Sequence, residues 1–179
     1  MISISYTFMF VSISILWIIN RFHFYNKNKD FSWKRELQLL LVFICIVVVV
    51  RFTFCPFSKV DGKIQPLILD LARIYPFRIN TEPFIHLFDY AIYNEAILNL
   101  VGNITMFIPL GIVWPIVYKD LDTPLKVIAA GIGFSLLIEI VQLPFYDRVS
   151  DIDDLILNST GYIIGYVIYL LVKKIKARV

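Results

Sequence analysis

The chain has 179 residues, 59% of them hydrophobic and 17% charged, with a mean hydropathy of +0.75 and a net charge of +3. A soluble domain averages about 45–50% apolar and about a quarter charged residues, so this composition excludes an ordinary globular fold and fits a membrane protein. A net charge of this size is too small to argue for nucleic acid, and no nucleic-acid partner is expected.

Residues 1–20 carry no charge, and the basic residues begin at Arg21. A secretory signal has the reverse order, with basic residues ahead of its apolar core, so about residues 2–20 read as a spanning helix. Arg21, Lys27, Lys29, Lys34 and Arg35 follow within residues 21–36, with Trp17 and Trp33 at the shoulders of this stretch. Aromatic shoulders beside a basic loop mark a membrane boundary on the cytoplasmic side. A second span covers about residues 37–56, broken by Arg51. Its Cys45 and Cys55 stand about 15 Å apart on a helix, too far for a disulfide, and read as packing residues.

The long loop that follows, about residues 57–95, is punctuated by Pro66, Pro76 and Pro83. Its apolar part, residues 64–74, is too short to span and predicts an interfacial or re-entrant segment. A third span covers about residues 96–118 with no charge. The fourth covers about 126–146 with Glu139 as its only interior charge. The fifth covers about 152–172 and ends before Lys173, Lys174, Lys176 and Arg178. The expected fold is therefore all-α: a polytopic membrane protein, one domain over residues 1–179, built as a bundle of about five transmembrane helices with an interfacial or re-entrant segment between helices 2 and 3. With the N-terminus outside and the C-terminus cytoplasmic, eleven of the 17 Lys and Arg fall in the short inner loop regions and the tail. That is the arrangement the positive-inside rule favours.

In this frame Asn103, Glu139 and Asn158 each lie about 9–11 Å below the outer boundary of their spans. Asn99 and Asn103 are one turn apart, Glu139 and Gln142 share a face, and Asp154, Asn158, Gly161 and Gly165 form one stripe of the fifth helix. Ionisable groups at this depth are costly and mark functional or paired structural sites. The expected result is an outward vestibule walled by three helices. Gly161 and Gly165 let a neighbouring backbone approach closely.

Structural explanations stand beside the functional one. Ser150 and Asp153 have capping-box spacing, and the acids Asp151, Asp153 and Asp154 complement the dipole of a helix start. Asn99 and Asn103 can hydrogen-bond helices together. Arg51, Arg78 and Arg148 are available partners for Glu139. Asp151, Asp153 and Asp154 offer oxygen ligands to a hard cation, a weak signal without a glycine pivot. His23 and His86 lie in different loops and suggest no metal. No phosphate-cradling glycine loop and no nucleophile–base pair is present, so no cofactor is expected and a catalytic residue is not assigned. Glu139 is the candidate if there is one, as a general acid or base.

The stretches NLVGNITMFIPLGI (99–112), IEIVQL (138–143) and DRVSDIDDLILNSTGYIIGY (147–166) resemble the VanZ-like family. FRINTEPF (77–84) resembles the family's Arg-x-Asn…Pro-Phe element and carries over Arg78, Asn80, Pro83 and Phe84. The resemblance covers roughly residues 78–172. It implies a bacterial multi-span membrane protein of a family in which some members give low-level teicoplanin resistance. It also assigns to motif positions Asn99, Asn103, Glu139, Gln142, Arg148, Asp151, Asp153, Asp154 and Asn158, which with Arg78 are the candidate ligand-binding residues. Three functions are compatible with these residues. One is binding of an amphiphile, either a lipoglycopeptide or a lipid-linked cell-wall precursor, beside membrane lipid. The second is an integral-membrane enzyme acting on a lipid head group. The third is a scaffold docking another envelope protein through Gly161 and Gly165.

Overall fold

A computed structural model describes residues 1–28, 31–55, 59–60, 62–75, 78–83, 93–146 and 148–178. Among them are five long helices: α1 (Tyr6–Asn28), α2 (Trp33–Phe54), α3 (Tyr93–Val117), α4 (Pro124–Gln142) and α5 (Ile152–Lys176). All five are long and apolar enough to cross a membrane. The chain is a multi-pass helical membrane protein.

The helix limits follow from local chemistry. Thr123 caps α4 by accepting from the Lys126 amide, with Pro124 at the first helical position, where its missing N–H costs nothing. The expected fourth span ran on to residue 146, but α4 stops at Gln142. Pro144 lacks the N–H that would continue the ladder, and residues 143–146 turn instead. The expected first span began at residue 2, but Ile2–Ile4 forms a strand, β1, before α1 starts at Tyr6. Both α1 and α5 continue past their apolar cores into basic residues, Lys27 in one and Lys173, Lys174 and Lys176 in the other.

The described residues of the loop between α2 and α3 are mostly extended rather than helical. Strands β2 (Lys59–Val60) and β3 (Lys63–Ile64) form a hairpin turned at Gly62, whose φ of 74° favours glycine. Strand β4 (Leu67–Leu69) runs antiparallel to β1, and β5 (Ile79–Asn80) runs parallel to β6 (Ser150–Asp151). Between β4 and β5 lies a single 3₁₀ turn, Leu71–Ile74, capped by the Asp70 carboxylate. Main-chain bonds tie this loop to the α4–α5 connection: Asp70 donates to Pro144, Tyr146 to Ile68 and Ser150 to Arg78. The expected interfacial or re-entrant piece, residues 64–74, is thus part of an extended cap over one end of the bundle. His86 and Pro76 lie outside the described residues.

The core centres on the seam between α3 and α5, with Phe107, Leu110, Val117 and Tyr162 almost fully enclosed. Small residues set that seam. A Cβ at Gly161 would collide with the Ile104 carbonyl, one at Gly165 with the Ile108 carbonyl, and one at Gly111 with the Tyr162 carbonyl. Backbone-to-backbone approach of this kind replaces the hydrophobic driving force that lipid removes. Helix α1 is peripheral. It is tied down by β1, by the Trp17–Phe43 contact with ring centroids 5.0 Å apart, and by an ion pair between Arg21 and Glu36.

Candidate functional site

The end of α4 and the start of α5 are joined by a short turn, so the unsatisfied amides of the α5 N-terminus need acceptors nearby. Two carboxylates supply them. The Asp151 side chain caps α5 by accepting from the Asp153 amide at 2.9 Å. Glu139 Oε2 accepts from the Asp151 amide at 2.9 Å and from the Ser150 hydroxyl at 3.1 Å. The cap therefore lies one residue later than expected, and it is a single side-chain cap whose own amide is held by Glu139. Asp151 is the cap, and Ser150 donates its hydroxyl to Glu139. Asn80, brought in by the β5–β6 pairing, donates its side-chain amide to both Asp151 carboxylate oxygens at 3.2 Å.

A second arm crosses from α3 to α5. The Asn103 side-chain amide donates to Asn99 Oδ1 at 3.0 Å and to Asp154 Oδ1 at 2.5 Å. Glu139, Asp151 and Asp154 stand close enough for their charges to repel one another, and Arg148 acts on Asp154 in the opposite sense. Like charges in a low-dielectric site are costly unless a counter-charge such as Arg148 stands beside them.

The three polar groups expected at one depth occupy two layers. Asn158 donates to Ser135 Oγ at 3.1 Å, one turn below the level of Glu139 and Asp151. The reason is the early end of α4: Glu139 is three residues from its last residue, Gln142, and α5 begins beside it. Asn158, 1% exposed, keeps its Oδ1 buried without a hydrogen-bond partner. Gln142 faces elsewhere and donates to the Thr53 carbonyl of α2 at 2.9 Å. Arg78 donates to the Tyr146 carbonyl at 2.6 Å and so braces the cap rather than a carboxylate.

Exposure separates the candidates. Glu139 and Gln142 are 4% exposed, Asp153 3% and Asn103 8%, whereas Asn99, Arg148, Asp151 and Asp154 are half-buried and form the rim. Asp151, Asp153 and Asp154 do not form a group that could hold a metal ion among the described residues. Phe84, carried over with Arg78, lies outside the described residues. The docking face expected from Gly161 and Gly165 is covered by α3 of the same chain, so it is not available to another protein.

Ser135, Ser150 and Asn80 are not among the candidate ligand-binding residues read from the sequence, yet all three bond within the cluster. Ser135 had a legible signal, since it lies one turn before Glu139 on the same face of α4. Asn80 was marked only by the resemblance, because strand pairing across 70 residues has no local signature.

A family model described as VanZ/LLP1 matches residues 8–173, nearly the whole chain. The chain belongs to this family. No curated protein and no solved structure shows significant similarity to it.

Proposed function

We propose that this VanZ/LLP1 family member binds the polar head of a membrane amphiphile at the rim formed by Asn99, Arg148, Asp151 and Asp154, and so contributes to glycopeptide tolerance or envelope homeostasis in a bacterium. One observation carries the reading. Residues from four separated motif stretches (78–80, 99–103, 139–142 and 148–158) meet at one end of the bundle, where buried carboxylates are held by neutral donors beneath a half-buried acidic mouth. In hydrocarbon such a constellation is a functional site by default.

The distribution of Lys and Arg supports an outward-facing mouth with the C-terminus cytoplasmic. A mouth with two half-buried carboxylates, above the buried Glu139 that repels both and beside one arginine, suits a cationic or zwitterionic head group, as on a lipid-tailed glycopeptide or a lipid-linked wall precursor. Glu139 serves from beneath, fixing the start of α5 and thereby the direction of Asp154. An enzymatic role for Glu139 is the weaker reading, since its carboxylate is sealed and already accepts two hydrogen bonds through one oxygen.

The test measures resistance beside direct binding of a labelled lipid-tailed glycopeptide and of lipid-linked wall precursor, on wild type, Glu139→Gln and Asp154→Asn. Parallel loss of affinity and resistance supports the binder. Unchanged binding with lost resistance overturns it in favour of chemistry, because binding and turnover depend on different free-energy gaps.

A further inference from the structure

The opposite end of the bundle carries a feature that the polar cluster does not use. Between the last turns of α1 and the segment leading into α2 lies a cleft of about 530 Å³, walled by Trp17, Ile18, Phe22, Tyr25 and Phe31 around the Arg21–Glu36 pair. Arg21 donates to Glu36 through Nε at 2.9 Å and through Nη2, which leaves Nη1 outside the pair. The walls are apolar and aromatic. Among the described residues the only charges lining the cleft are this pair, and Lys27 and Lys34 stand exposed in the adjoining helix turns.

The geometry points to a binding site for one anionic phospholipid in the leaflet at the basic helix ends. Its acyl chain would lie along Trp17, Ile18 and Phe22, with its phosphate at the level of Arg21, Lys27 and Lys34. Three observations support this occupant. First, α1 is membrane-spanning and its apolar residues flanking the cleft, Ile18 and Phe22, are exposed, so lipid is what meets them. Second, Trp17 and Trp33 bracket the cleft, as aromatic residues do at the hydrocarbon–water boundary. Third, Glu36 pairs with Arg21, and residues 21–36 still hold five Lys and Arg against two acids, so the charge flanking the cleft is positive, and basic pockets beside membrane helices select anionic heads. The site is independent of the amphiphile mouth at the other end.

The test uses full-length protein carrying Trp33→Phe and Trp114→Phe, which leaves Trp17 as the only tryptophan, reconstituted in phosphatidylcholine vesicles. A small share of lipid with brominated acyl chains, either phosphatidylglycerol or phosphatidylcholine, then quenches Trp17 by contact. Brominated phosphatidylglycerol should associate about fivefold more than brominated phosphatidylcholine at equal share, the preference that one nearby basic residue gives. Lys27→Gln with Lys34→Gln should bring that ratio to near one, while Lys174→Gln with Lys176→Gln on the distant α5 tail should leave it unchanged. Equal quenching by both lipids in the parent protein would reduce the cleft to ordinary lipid contact and overturn the site. An equal fall in the tail variant would assign the preference to diffuse basic charge and overturn it as well.

Discussion

Replacing Gly161 by alanine adds one methyl group where α3 and α5 meet backbone to backbone. The added Cβ would collide with the Ile104 carbonyl carbon and oxygen, which cannot rotate away as a side chain could. Ordinary van der Waals contact there needs the helices to separate by more than an ångström, about the margin that holds the 2.5 Å bond between Asn103 and Asp154. Overpacking of a tight interface costs about 1–3 kcal/mol. For a chain of this size that corresponds to a fall in Tm of roughly 3–10 °C. Gly133→Ala is the matched control, since a Cβ there meets nothing within 4 Å. Alanine is also the better helix former by about 1 kcal/mol, so that variant should be neutral or slightly stabilised. Thermal unfolding in detergent, followed by loss of helical signal, measures both. An equal Tm for Gly161→Ala and Gly133→Ala would refute the claim that the glycines set the seam. A fall in Tm without loss of ligand binding would show that the seam does not position the mouth.

Glu139→Ala strands the Ser150 hydroxyl and the Asp151 amide and should cost about 1–3 kcal/mol, whereas Glu139→Gln keeps an acceptor and should cost less; chemical denaturation separates them. Ser135→Ala leaves the buried Asn158 amide without its acceptor and should destabilise by about 1 kcal/mol, a penalty that the double variant with Asn158→Leu should largely remove. Cys55 is buried, and that burial pushes its thiol up against the opposing pull of Arg51 and Arg148, so its alkylation should be slow at neutral pH and accelerate only above the ordinary thiol range. A rate at pH 7 equal to that of an exposed thiol would contradict this. In a background lacking both cysteines, Ile64→Cys should react with an impermeant thiol reagent on intact cells and Lys27→Cys should not; the reverse pattern would invert the orientation.

Much of this molecule is written locally. Apolar runs of about twenty residues with few or no charges leave a helix as the only way to satisfy the backbone in hydrocarbon, so five spans are legible from sequence with errors confined to their ends. Those errors have local causes that were also present, such as Pro144 and the extended Ile2–Ile4. The glycine spacing on α5 announced a close approach, but not its partner. Tertiary structure chose α3 of the same chain, because only the fold decides which backbone lies opposite a small residue. The polar residues show the same division. Sequence marked Asn103, Glu139 and Asp154 as costly groups that need partners. It did not reveal that Glu139 would be consumed by the start of α5, that Gln142 would turn to Thr53, or that Asn80 would reach Asp151 through a two-residue parallel strand pair. Hydrogen-bond partners across long sequence separations are set by how helices and loops pack. Depth along a single helix, which sequence does give, leaves the relative shift of its neighbours undetermined.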